Sequence, residues 1–223
     1  MKGFVNLSLG VNNHPWYSRG RLEPTRRIDM IIGLDFDDVL VDCQSAVQLF
    51  HNRRYGTALT RDDVHTYSLD MLWSCSRREM TKRIDEFFVS PEHEMLAPIL
   101  GAVEAVRELQ SRAEVVVITS RPSNTKPQTR ACLMKYFPSL VDSICFARSD
   151  AHRDGSMTKR QLCHHLGVQV FVDDAIHYVE NVAPVVSKAL LFDAPWNYNS
   201  VLCQQNMHRV HSWNDILEVV RSI

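Results

Sequence analysis

Five short runs of branched apolar residues recur along the chain: Met30–Leu34 before Asp35, Glu114–Ile118 before Thr119, Ser143–Ala147 after Asp142, Gln169–Val172 before Asp173, and Ser187–Phe192 before Asp193. Segments of helical periodicity lie between them. Gly101–Arg112 places Val103, Val106 and Leu109 on one stripe with charges opposite, and Lys126–Phe137 carries Pro127 near its first turn. Short apolar strands alternating with amphipathic helices specify an α/β fold, a doubly wound parallel sheet with right-handed crossovers. One interval breaks the alternation, because the first strand ends near Asp35 and the second begins only near Glu114. Ser76 and Glu79 form the pattern of a capping box, and Thr60–Asp63 reads as a second helix start. Residues 44–97 are therefore expected to form a small helical cap inserted after strand 1, with Pro91 and Pro98 bracketing the return. That leaves 29–43 and 98–223 as the core domain and 1–28 as an N-terminal arm.

Composition narrows the class. A chain of 223 residues, 45% hydrophobic, can bury one substantial core. A formal net charge of -1 gives no global field toward nucleic acid polymers or anionic membranes, so an anionic substrate must be held locally. Six cysteines lie scattered with no CxxC pair, which argues against a zinc or redox centre and suits a reducing, cytoplasmic location. The arm, with Arg19, Arg21, Arg26 and Arg27, is mildly basic and has no apolar run long enough for a signal peptide or membrane span.

In open parallel sheets ligands bind outside the carboxyl ends of the strands, and here those ends are polar. Asp35, Asp37 and Asp38 follow the first run, Thr119, Ser120 and Arg121 the second, and Asp173 and Asp174 the fourth, while Lys159 opens the helix feeding the fourth strand. In an extended segment, residues two apart share a side, so Asp35 and Asp37 address one volume while Phe36 turns inward. Joined by Asp173 or Asp174, they make an all-oxygen site whose natural ion is Mg²⁺. Singly, each set has a plainer explanation: an Asp can cap a helix, Thr119 can shape a turn, Lys159 can be solvated. Four such sets at one sheet edge are hard to explain by capping.

The ordered set carried by "LDFDDVL", "VVVITSRP", "SMTKRQL" and "VFVDDA" resembles the haloacid dehalogenase superfamily of aspartyl phosphotransferases. "LAPILGAVEAVREL", "LLFDAPWN" and "VHSWNDI" are similar to its 5′(3′)-deoxyribonucleotidase branch. The resemblance implies a Mg²⁺-dependent phosphatase of small phosphomonoesters, nucleotides first. Asp35 is then the nucleophile, and Asp37 the general acid and base with a raised pKa. The metal falls to Asp35, the main-chain carbonyl of Asp37, and Asp174 with Asp173 in support. Thr119, Ser120 and Lys159 bind the phosphoryl group, helped by backbone N–H groups around Asp37–Val39. Tyr67, Trp73, Phe87 and Phe88 are the cap aromatics near a substrate, with Tyr67 preferred and Phe87 and Phe88 read as cap core, and Arg121 is a candidate contact to phosphate or nucleobase. Asp38 stands where these nucleotidases commonly have Gly, and Cys43 where they have an aromatic. The alternatives are a phosphatase of another small metabolite or of nucleic acid 3′ ends, and a receiver-like or catalytically dead phosphate-binding module.

Overall fold

The computed structural model describes residues 30–148 and 157–223. The N-terminal arm of the sequence reading lies outside the described residues. Six parallel strands form one sheet in the order β3-β2-β1-β4-β5-β6: β1 Ile31–Leu34, β2 Glu114–Thr119, β3 Ile144–Phe146, β4 Val170–Asp173, β5 Lys188–Phe192 and β6 Met207–Val210. The first five are those expected from the apolar runs. The sixth had no such run, because His208 and Arg209 are only half-buried between buried Met207 and Val210 at the sheet edge.

The strands are apolar on both sides because both faces are covered. Val115 and Val117 pack into the larger core, whereas Val116 and Ile118 pack with Cys163, Val168 and Phe171 on the opposite face. Gly33 in β1 is dictated by that packing. A Cβ there would sit 3.1 Å from Phe171, 3.2 Å from Ile118 and 3.2 Å from Val168.

Helices α1 Cys43–Tyr55, α2 Leu69–Leu72, α3 Arg77–Phe88 and α4 Pro91–Glu94 fill the interval between β1 and β2. The chain leaves and returns side by side: Asp42 N–H donates to the Ala97 carbonyl at 2.9 Å, and Ile99 N–H to that of Leu40 at 2.9 Å. Ser76 does cap α3, accepting from the Glu79 N–H at 3.2 Å. The start expected at Thr60 closes only one 3₁₀ turn, Arg61–Asp63, before the chain bends away. Phe50, Trp73, Phe87 and Leu96 of the inserted segment belong to the same buried cluster as Ile32, Leu34 and Val117, so the apolar interior is continuous across the junction.

Helices α5 Ala102–Gln110, α6 Lys126–Tyr136, α7 Lys159–Leu166, α8 Ile176–Val182 and α9 Trp213–Arg221 complete the described helices. Two of them fix the site. Thr158 caps α7 and thereby sets the direction of Lys159, the first residue of the helix. Trp213 of α9 donates its indole N–H to the Val39 carbonyl at 3.2 Å, pinning the loop after β1 from below. Among the described residues no helix is long and apolar enough to cross a membrane.

Candidate active site

The strand order reverses at β1 and β4, and the crevice at that switch point is where an open α/β sheet binds ligands. Asp35 leaves β1 there with its N–H bonded to the Val172 carbonyl of β4 at 2.9 Å, and Asp173 and Asp174 end β4 beside it. Val39, Leu40 and Val41 are fully buried, so the loop after β1 is anchored by its apolar half and presents its acidic half to the rim. A cavity of about 580 Å³ opens over this rim. Asp35, Asp37, Thr119, Ser120, Lys159 and Asp174 line its sheet side, and Val47, Leu69, Met80, Ile84 and Phe88 of the inserted segment line the other.

Each acid of the first strand end has its own cation. Lys159 Nζ lies 2.8 Å from Asp35 Oδ1 and 2.7 Å from Asp173 Oδ2, and above the Tyr178 ring at 4.3 Å. Arg121 holds Asp37 in a forked pair, Nε to Oδ2 at 2.8 Å and Nη2 to Oδ1 at 2.7 Å. Arg61 pairs with Asp38 and, at 2.7 Å, with Asp42. Asp174 has no such cation among the described residues; its Oδ2 accepts the indole N–H of Trp196, at 2.8 Å.

The pKa shifts follow from these pairings. Burial pushes the Asp35 carboxyl up to about 7 against the pull of Lys159, with Asp173 and Asp37 adding to the rise. Burial, then Asp173, Asp38 and Asp35, push Asp174 well above the usual carboxylate range. Lys159 is raised: burial opposes its charge, but Asp173 and Asp35 prevail. Asp37 goes the other way. Burial pushes it up, yet the Arg121 guanidinium outweighs burial and holds it below its ordinary value. The raised pKa expected for Asp37 from its acidic neighbours is therefore corrected by a cation that the spacing of the acids did not reveal.

One carboxylate oxygen from each of Asp35, Asp173 and Asp174 lies within 4.8 Å of the others. These buried all-oxygen donors suit a hard divalent ion. The charge balance agrees: counted as carboxylates, Asp35, Asp37, Asp38, Asp42, Asp173 and Asp174 outnumber Lys159, Arg121 and Arg61, and burial together with that excess raises Asp35 and Asp174. The two β4 acids differ. Asp173 is fully buried and spends its oxygens on Lys159 and the Ala175 N–H, whereas Asp174 lines the cavity. Asp37 is outside this cluster because its carboxylate is turned to Arg121.

Two substrate contacts of the sequence reading are engaged with other side chains of the protein. Trp73 is buried, stacked 4.3 Å from His51 and donating to Gln48 at 3.3 Å, and does not line the cavity. Arg121 lines the cavity but does not reach for a ligand. It is 3% exposed, and the N–H groups left after Asp37 go to His93 at 2.9 Å, Thr129 at 3.2 Å and the Cys43 sulfur at 3.8 Å. Tyr67 does line the cavity, edge-on to His177 at 5.1 Å. The Asp38 N–H, expected in the phosphate cradle, is spent on the Val41 carbonyl at 2.7 Å. Arg61, His93 and Trp196 were not foreseen. Only Trp196 carried a signal, lying in the "APWN" segment.

The sheet order, the acids at the switch point and the lysine that bridges two of them fit a phosphatase of the haloacid dehalogenase superfamily. The chain belongs to the family described as 5′ nucleotidase, deoxy (Pyrimidine), cytosolic type C protein, whose model matches residues 29–223. Solved structures share the fold. A haloacid dehalogenase-like hydrolase from Streptococcus pneumoniae has a TM-score of 0.62 at 12% identity, over 86% of this chain and 98% of that one. A predicted phosphatase from Clostridium acetobutylicum has a TM-score of 0.64 at 13% identity, over 87% and 99%. A family hydrolase from Deinococcus radiodurans, solved with bound phosphate and sodium, has a TM-score of 0.59 at 12% identity, over 87% and 95%. No protein of curated function matches the sequence.

Proposed function

We propose that the protein hydrolyses small phosphomonoesters, (deoxy)nucleotides foremost, through an aspartyl-phosphate on Asp35, with Mg²⁺ as its cofactor. The observation that carries this reading is Lys159 Nζ set between Asp35 at 2.8 Å and Asp173 at 2.7 Å, with Asp174 beside them at the cavity wall. Lys159 fixes the Asp35 carboxylate and keeps positive charge where phosphoryl oxygens arrive. Attack by an Asp35 oxygen on phosphorus forms the acyl phosphate and breaks the ester P–O bond, the leaving oxygen taking a proton from Asp37; water then cleaves the acyl phosphate, returns a proton to Asp37, and leaves inorganic phosphate and the Asp35 carboxylate. Thr119 accepts the Arg121 N–H at 3.2 Å, which leaves its hydroxyl proton for a phosphoryl oxygen. Ser120 lies next to it on the same wall. Asp37, kept ionised by Arg121, is suited to taking the proton of the attacking water. To protonate the leaving alcohol first, it must acquire a proton against Arg121.

Asp35 and Asp174 would hold the metal, with Asp173 orienting Lys159 and the turn behind them. Bound there, Mg²⁺ would supply Lewis-acid screening between an anionic nucleophile and an anionic substrate. Residues 44–97 are read as the cap that selects substrate, with Tyr67 exposed at its cavity edge. The six cysteines, all free, suit a reducing compartment such as the cytoplasm.

Phosphate release from p-nitrophenyl phosphate should require Mg²⁺ and stop in EDTA. Asp174→Ala should raise the Mg²⁺ concentration giving half-maximal rate by at least about 10- to 100-fold, the loss that removal of even a residue supporting a ligand causes. Activity undiminished in EDTA contradicts the metal reading. Nucleoside monophosphates, deoxy and ribo, 5′ and 3′, should outrank sugar phosphates in the same assay, and a flat response across the panel removes the nucleotide preference.

A further inference from the structure

Asp38 is the anomaly of the site. It has φ +56°, the left-handed backbone a glycine adopts without strain, and it places a carboxylate on the wall of a cavity meant for an anion. Its charge reaches its neighbours, because it contributes to the raised pKa of Asp174. What makes it tolerable comes from the inserted segment. Arg61, on the 3₁₀ turn between α1 and α2, pairs with Asp38 and with Asp42 at 2.7 Å. Its guanidinium also stacks 4.7 Å above the Trp196 ring, whose N–H holds Asp174 at 2.8 Å. Asp38 is further fixed by the Gln44 N–H at 3.1 Å. One side chain of the insertion thus touches the loop after β1 and the aromatic support of Asp174 together. Tyr67 makes a second crossing, onto His177 of α8.

We propose that Arg61 is a positioning residue that gates phosphate binding by charge: the pocket accepts the anion while Arg61 neutralises Asp38. This rests on the phosphatase reading of the same pocket. Without Arg61, Asp38 faces the anion with only the Gln44 N–H to offset it. The gate thereby ties the charge of one residue of the insertion to occupancy of the site. It also gives a reason for an acid at a backbone position where a glycine would be free of strain.

The test is calorimetric titration of inorganic phosphate, with Mg²⁺ present, into the wild type, Arg61→Met, Arg61→Lys, Asp38→Asn and Asp38→Asn/Arg61→Met. Arg61→Met should weaken phosphate binding by about 10- to 100-fold, the scale of one uncompensated charge several ångströms from the anion at the effective dielectric of a protein surface. The double variant should recover to within about threefold of wild type, and Arg61→Lys, which keeps the charge, should lose less than about tenfold. Lost packing alone would not be repaired by a second substitution that removes only a charge. Wild-type affinity in Arg61→Met, or a double variant as weak as Arg61→Met, overturns the gate. Should Arg61→Met fail to fold, Asp38→Asn and the double variant carry the test: equal affinities are expected, and a tenfold gap overturns the proposal. Turnover separates the two readings, since a wild type that releases no phosphate from p-nitrophenyl phosphate ends the phosphatase reading and the gate with it. An active wild type with an unaffected Arg61→Met ends the gate alone.

Discussion

Asp35→Asn is expected to lower phosphate release by at least about 10³-fold while leaving the fold intact, the size of loss seen when a covalent nucleophile is removed. The amide cannot form the acyl phosphate, yet it has the shape of the carboxylate and can still face Lys159 and the end of β4. Its effect on stability should be neutral or favourable. Burial pushes the Asp35 carboxyl up to about 7, so the folded chain disfavours its charged form. The sign follows from linkage. A carboxyl with a raised folded pKa contributes stability at low pH that is lost as pH rises through about 7. In EDTA the wild type should therefore lose more stability than Asp35→Asn between pH 4 and about 7. Thermal melts across that range measure the difference, and a markedly destabilised Asp35→Asn would contradict this account of the site's electrostatics.

The second large effect is expected at Lys159. Lys159→Met removes the cation shared by Asp35 and Asp173, and the latter is fully buried. Breaking a buried pair by deleting one partner costs about 3–5 kcal/mol, because the remaining charge cannot recover its hydration. Urea denaturation in EDTA at neutral pH should show a loss of that order, and turnover should fall by about 10²-fold or more. Acidification should then restore part of the stability, since protonating the stranded carboxylates removes the charge that lacks a partner. A Lys159→Met variant as stable as wild type at neutral pH would mean that the lysine does not carry the electrostatic load of the strand ends.

The sheet was legible where burial on both faces left a run with no polar interruption, as in β2 and β4. It was not legible in β6, whose middle residues, His208 and Arg209, are half-exposed at the edge. The acids of the site stood out because strand ends seldom collect several of them, and the structure brings Asp35, Asp173 and Asp174 together. Their counter-charges were harder to find. Arg121 was visible two residues after Thr119, but nothing in the sequence said that its guanidinium turns back onto Asp37. Arg61 stood in a segment read as a helix start, and only the short 3₁₀ turn brings it to Asp38. Trp73 illustrates the same limit: an aromatic in an amphipathic segment announces burial without saying against what. It packs on His51 inside the insertion rather than on a ligand.

Of the five acids at the rim, Asp35, Asp37, Asp38, Asp173 and Asp174, Asp35 is the one assigned to attack phosphorus, and chemical trapping addresses that choice directly. The wild-type protein would be mixed with excess p-nitrophenyl phosphate and Mg²⁺, quenched in acid within a turnover, reduced with borohydride and mapped by mass spectrometry. An acyl phosphate on Asp35 should appear as homoserine at position 35, absent without substrate. Homoserine at position 37, 38, 173 or 174 instead, or at none of them while phosphate is still released, would contradict the assignment.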